Sequence, residues 1–184
     1  MERNTGTTTF IVRFTPSASG ARNAVLEFAN NDLNENPFNF SITGTGTNPE
    51  IDIRGNGILI NSGDNTPSTA DYTDFGGVDA QDGMISRTFY IHNTGTGDLT
   101  LLDHDSPNGV YVWIDGTNAA DFSVLTQPST PIAAASNDDF EIECNPSALG
   151  IRTAVVHVNS NDANEASYSF TIQGRGLAPE IDLQ

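Results

Sequence analysis

The chain has 184 residues, with 24 acidic side chains against 7 basic ones and a net charge of -17. That balance repels nucleic-acid phosphates and anionic lipid head groups, so no nucleic-acid partner is expected, and no run of about 18 apolar residues offers direct membrane insertion by a helix. Every basic residue is arginine, which excludes Schiff-base and phosphate-loop lysine chemistry, and the single Cys144 excludes a disulfide framework.

In chain order, apolar residues alternate with polar or variable ones at Phe10, Val12 and Phe14, then at Ala24, Leu26 and Phe28, then at Phe38, Phe40 and Ile42. Period two predicts strands with one packed and one wet face. Gly44–Glu50, stiffened by Pro49, reads as a short connector. Beyond it the predicted strands are 51–54, 58–61, 85–93, 98–102, 110–114, 122–126, 140–145, 152–159 and 168–173. Turn residues separate them, as at Ser62-Gly63-Asp64-Asn65, Thr94-Gly95-Thr96-Gly97 and Pro107-Asn108-Gly109. Phe75, Ile85, Phe89, Ile91, Leu99, Leu101, Phe122 and Val124 are expected to point inward. No window carries a helical stripe, so the fold class is all-β, a β-sandwich.

Residues 10–53 recur without a gap as residues 140–183, with about 20 of 44 positions identical. Pro16-Ser17-Ala18 matches Pro146-Ser147-Ala148, Gly20 and Arg22 match Gly150 and Arg152, and Pro49-Glu50-Ile51-Asp52 matches Pro179-Glu180-Ile181-Asp182. A period of about 130 residues suits an independent domain more than a solenoid turn. The expected organisation is the C-terminal part of one repeat over 1–48, a complete repeat over 49–176, and the first strand of a third over 177–184. No basic-then-apolar leader follows Met1, so an export signal is expected outside these residues.

The run Gly55-Asn56-Gly57, Gly63-Asp64, Thr66-Pro67-Ser68-Thr69-Ala70-Asp71 and Thr73-Asp74-Phe75-Gly76 resembles the opening of a choice-of-anchor D domain. Arg87-Thr88-Phe89, Asn93-Thr94-Gly95-Thr96-Gly97-Asp98-Leu99, Gly116-Thr117-Asn118-Ala119-Ala120-Asp121-Phe122 and Asn145-Pro146-Ser147 continue the likeness. The pattern breaks at Asp103–Gly109, where His104 and Asp105 replace a more apolar strand entry. The resemblance implies a Hydin-like Ig-like repeat from a long exported bacterial surface protein. It implies an extracellular location and a structural role, as stalk or spacer of an adhesin or filament.

Three groups of residues are candidate sites. Asp64, Asp71, Asp74 and Asp79 crowd what reads as one connection, where oxygen ligands suit calcium, although Asp also makes turns. Asn31-Asp32-x-Asn34-Glu35 and its copy Asn161-Asp162-x-Asn164-Glu165 resemble a metal clip or a plain hairpin loop. Tyr111 and Trp113 share one face of a strand; core packing is the expected role of Trp113, and an exposed contact to a surface glycan or host partner, together with Tyr111 and His104, is the alternative. His92, His104 and His157 do not converge, and Cys144 replaces Phe14 on a packed face, so neither a catalytic constellation nor a reactive thiol is expected. No obligate cofactor is implied, and no enzymatic activity. The expected partners are neighbouring repeats, met end to end or by strand exchange.

Overall fold

Local turn chemistry and alternation set the strands of the first copy: β1 (Gly20–Phe28) and β2 (Phe38–Gly46) pair antiparallel, with Gly20 opposite Gly46 and Phe28 opposite Phe38. The structure, a computed structural model, describes residues 6–178 and divides into two units, Met1–Thr47 and Asn48–Gln184. The copied Pro179-Glu180-Ile181-Asp182 lies outside the described residues.

In the C-terminal unit the strands are β3 (Ile51–Gly55), β4 (Ile58–Ile60), β5 (Asp74–Asp79), β6 (Ile85–Asn93), β7 (Val112–Asp115), β8 (Phe122–Thr126), β9 (Ser136–Cys144), β10 (Gly150–Asn159) and β11 (Ser167–Leu177). Asn56 and Gly57, both at positive φ, form the two-residue turn between β3 and β4, the turn whose twist matches paired strands. One sheet has the order β4-β3-β6-β9-β8 and the other β5-β11-β10-β7. In chain sequence this places the first, second, fourth and fifth strands of an immunoglobulin sandwich on one sheet. The third, sixth and seventh lie on the other, with β5 running parallel to the last. The fold is an Ig-like β-sandwich.

Side chains from both sheets meet in one core. Phe89 of β6 stacks on Phe140 of β9 at 5.4 Å and reaches Phe170 of β11 at 5.8 Å, while Phe75 of β5 meets Phe122 of β8 edge-on at 5.8 Å. Ile51, Ile53, Ile91, Ile142, Val156 and Ile172 fill the space between them, all fully buried. Ile85 and Val124, expected inward, are half-buried against this cluster.

The register of the first hairpin returns in the second. Gly150 faces Gly176 and Val158 faces Tyr168, which is the β1–β2 pairing advanced by one repeat. The two glycine pairs have a steric cause. A Cβ on Gly46 would stand 2.1 Å from the Ala18 carbonyl oxygen, and one on Gly176 the same 2.1 Å from that of Ala148. Gly44 and Gly174 likewise admit the Phe14 ring and the Cys144 sulfur.

Four expectations are corrected. Residues 98–102 form no strand, because the Thr100 and Leu101 amides donate to the Asn161 side chain and the Thr130 hydroxyl; only isolated bridges at Leu99 and Leu101 remain. Residues 61–85 are no single connection, since β5 runs inside them; its Gly76-Gly77 hid it from propensity, yet Gly77 is what lets Leu177 lie against the strand. The connector is shorter than Gly44–Glu50: Gly44 and Gly46 belong to β2, and Asn48 and Glu50 are bonded to the turn at 93–97. Phe10, Val12 and Phe14 are not in a strand and stay about half exposed, because the strands that flank their copy in β9 have no counterpart among the described residues of the N-terminal unit.

Candidate functional site

The outer face of β7 carries the most concentrated chemistry. Val112 points into the core, fully buried, so alternation turns Trp113 outward. Core packing of Trp113 is therefore not what the fold selects. Antiparallel register sets His157 of β10 directly opposite Trp113, and their rings stack at 5.2 Å and 16°. His157 Nε2 also lies 2.9 Å from Asp115 Oδ1. On the same indole, His104 stacks at 4.2 Å and 7°.

The loop that holds His104 is built by a residue the sequence reading passed over. Asp103 accepts amide hydrogens from Asp105, Gly109 and Val110, and the His104 amide returns to the Val110 carbonyl at 2.8 Å. The Gly109 amide, above all, holds the Asp103 carboxyl below its ordinary range, with Val110, Asp105 and the His104 charge adding to it. The signal available in the sequence was the spacing Asp103-x-Asp105 before Asn108-Gly109, an Asp-centred turn. Tyr111 is part-buried against the core and does not join the stack. The indole surface that reads as a bare platform for a sugar ring is thus occupied by two imidazoles. No hydroxyl or thiol is bonded to either imidazole among the described residues, so the arrangement holds rings in place and offers no nucleophile.

The acidic candidates separate into individual turns. Asp64 accepts from the Thr66 amide and hydroxyl, Asp71 from those of Thr73, Asp74 from the Gly76 amide and the Gln173 side chain, and Asp79 from the Gln81 amide. Each carboxylate closes a local turn two residues on, and among the described residues they do not gather around a point. His92, on the outer face of β6, has its pKa lowered by burial and the Arg54 charge.

The structure does bring three carboxylates together elsewhere. Glu50, Asp162 and Glu165 have oxygens within 4.8 Å of one another, the spacing at which carboxylates share a hard divalent cation. Glu50 was invisible to a local reading because it comes from the start of β3, over a hundred residues away. Asp162 is buried and already engaged: its oxygens accept the Ile51 amide at 2.9 Å and the Asn164 amide at 3.1 Å. Burial, then the charges of Asp162, Glu50 and Asp52, push the Glu165 carboxyl up. Asp32 accepts the Asn34 amide at the same 3.1 Å in the N-terminal unit.

A buried ion pair completes the inventory. Asp121, 2% exposed, binds Arg152 Nε and accepts the Ser147 amide at 3.0 Å. Burial raises its carboxyl, and the bonds from Ser147 and Arg152 outweigh that and hold it low. Cys144 is fully buried, and burial pushes its thiol up to about 11.

No family model matches this chain, and no curated protein does. Among solved structures, a protein of unknown function from Porphyromonas gingivalis aligns at 13% identity and a TM-score of 0.48, over 86% of this chain and 67% of its own. The seventh PapD-like domain of human CEP192, an ASH / PapD-like domain, aligns at 14% and 0.39, over 71% and 87%. The secreted serine protease VesC from Vibrio cholerae aligns at 18% and 0.42, over 58% of this chain and 22% of the protease. What makes the present fold Ig-like is its own strand order and register.

Proposed function

We propose that the chain is a stretch of tandem Ig-like repeats from a long extracellular bacterial surface protein, acting as a stalk or spacer with no chemistry of its own. The observation that carries this reading is the return of one hairpin, with the same register and the same glycine-gated contacts, after about 130 residues. The resemblance to choice-of-anchor D domains supports the surface location.

The connector supports a semi-rigid array. The Asn48 carbonyl accepts the Thr96 and Gly97 amides at 2.7 and 2.9 Å, and the Glu50 carbonyl accepts the Thr94 amide at 2.9 Å. Since β2 ends at Gly46, Thr47 alone stands between the last strand residue of one unit and the first bonded residue of the next. One residue gives little slack compared with a flexible linker, whose reach grows with the square root of its length. Small-angle scattering from an array of three or more repeats should show a rod. Inserting about six Gly-Ser residues after Thr47 should collapse it toward flexible-chain dimensions. Coil-like scattering from the unmodified array would refute the spacer reading.

A further inference from the structure

The segment that opens the C-terminal unit, Asn48–Ile51, is fastened from two sides. On one side stands the turn after β6. Besides the amides that the Asn48 and Glu50 carbonyls accept, the Asn48 amide donates to the Thr96 hydroxyl oxygen and the Glu50 amide to Asn93 Oδ1, each at 3.3 Å. Asn93 is 1% exposed, and every polar atom of its side chain is used. Its Oδ1 also accepts the Gly95 amide, and its Nδ2 donates to the Gly97 and Ile132 carbonyls at 2.7 and 2.9 Å. Turn and segment lie so close that a Cβ on Gly95 would stand 2.4 Å from the Asn48 carbonyl oxygen. On the other side stands the turn between β10 and β11. The buried Asp162 takes the Ile51 amide on Oδ2, and it is itself held by the Asn164 amide on Oδ1 and by the bond from its own amide to Ser160 Oγ. Since β6 belongs to one sheet and the β10–β11 turn to the other, Asn48–Ile51 is tied to both.

Register puts this entry and the exit of the unit at opposite ends of the strands. Ile51 lies opposite Asn93, the last residue of β6, and Asn93 lies opposite Ser136, the first of β9. The exit strand β11 finishes opposite the start of β10, with Gly176 facing Gly150, and β10 starts a short turn after Cys144, at the far end of β9. A pull applied before Asn48 and after Leu177 therefore runs along the strands. It slides β3 along β6, and β11 along β10 and β5, so the bonds of each ladder resist together instead of opening one by one. Within its sheet β11 is flanked on both sides, by β10 and β5. The neighbours of β3 are β6 and β4, and β4 is its own hairpin partner, which travels with it. The entry strand is thus the less firmly laddered of the two, and it is the one that carries the extra fastening.

We infer that the C-terminal unit is built to withstand tension along the chain, with Asn93, Thr96 and Asp162 as positioning residues that clamp the entry strand to both sheets. The inference rests on the stalk reading, because a stalk is pulled end to end. It also gives one copy of the duplicated motif, Asn161-Asp162-x-Asn164-Glu165, a task in the fold: its aspartate caps the first amide of β3.

The test is single-molecule pulling on the full chain through introduced cysteines, the native Cys144 being buried. Handles at Thr47→Cys and Ala178→Cys pull along the strands, whereas handles at Thr47→Cys and Ala163→Cys peel the entry segment from the turn at its own end; all three positions are exposed. Unfolding of the C-terminal unit should need a higher force in the first geometry than in the second. Forced unfolding reads the unfolding rate, so Asp162→Ala should speed it about tenfold under the pull along the strands, the loss typical of a hydrogen bond to a charged group. Thr96→Val removes one contact to Asn48 and nothing from the core, so it should act in the same direction by a smaller factor without endangering the fold. Val156→Ala, a core change in β10 away from the entry, should speed unfolding in denaturant yet alter the rate under this pull less than Asp162→Ala does. Equal force in both geometries, a pull along the strands indifferent to Asp162→Ala and Thr96→Val, or the reverse ranking of Val156→Ala and Asp162→Ala would each overturn the proposal. Rod-like scattering with equal forces sinks the clamp alone, and coil-like scattering with the force difference retained sinks the spacer alone.

Discussion

Carboxylates show at the level of single residues how position decides role. Asp64, Asp71, Asp74 and Asp79 act as turn closers, Asp121 is buried against a half-buried arginine, and Glu165 is crowded by Asp162 and Glu50. The raised Glu165 carboxyl has a definite consequence for stability. A carboxyl with a folded-state pKa above its unfolded value binds more protons when folded, so its contribution falls as pH rises from the ordinary carboxylate value through the raised one. Glu165→Gln should therefore raise the melting temperature of the C-terminal unit at neutral pH. The advantage should shrink as pH drops into the ordinary carboxylate range, and calorimetry over pH checks it. An equal advantage at all pH values would show that charge crowding is not the cause.

Segments that look alike in sequence differ in what they form and bury. Phe140 in β9 and its counterpart Phe10 share the apolar alternation, yet Phe140 is fully buried and Phe10 is 54% exposed, touching Phe28 at a ring distance of 4.9 Å. Phe140→Ala should cost the C-terminal unit about 3–5 kcal/mol, the usual range for emptying a core aromatic site. Phe10→Ala should cost no more than about 1.5 kcal/mol, the worth of one aromatic pair. Chemical denaturation of the two variants measures the contrast, and equal losses would mean that the N-terminal face is covered after all. Alternation was enough to find β6 and β8 with these bounds and to set Trp113 and Val112 on opposite faces, but not to say which face is outside. It missed β5 because two glycines carry no side-chain signal, and it overran at 98–102 because side-chain acceptors took the amides.

For the whole molecule, the C-terminal unit joins nine strands around one core, with Cys144 at its centre. The thiol has no exposure and is pushed up to about 11, so neither access nor thiolate is present at neutral pH. A thiol reagent should label it only through opening of the C-terminal unit. The labelling rate should then follow denaturant as unfolding does, whatever the state of the N-terminal unit. Labelling within seconds in native buffer would contradict this placement of the cysteine.

Read alone, the amino-acid order was enough to establish the all-β class, the repeat period and the inward faces of β6, β9, β10 and β11, because side-chain periodicity and glycine placement are local properties that a duplicated segment displays twice. Which of the candidate residues meet one another was decided in three dimensions. Only chain crossing sets Glu50 beside Asp162 and Glu165, stacks His104 and His157 on Trp113, and gives Arg152 its carboxylate. Those pairings join residues distant in sequence, and contact between them follows from sheet register and packing, which no local pattern encodes.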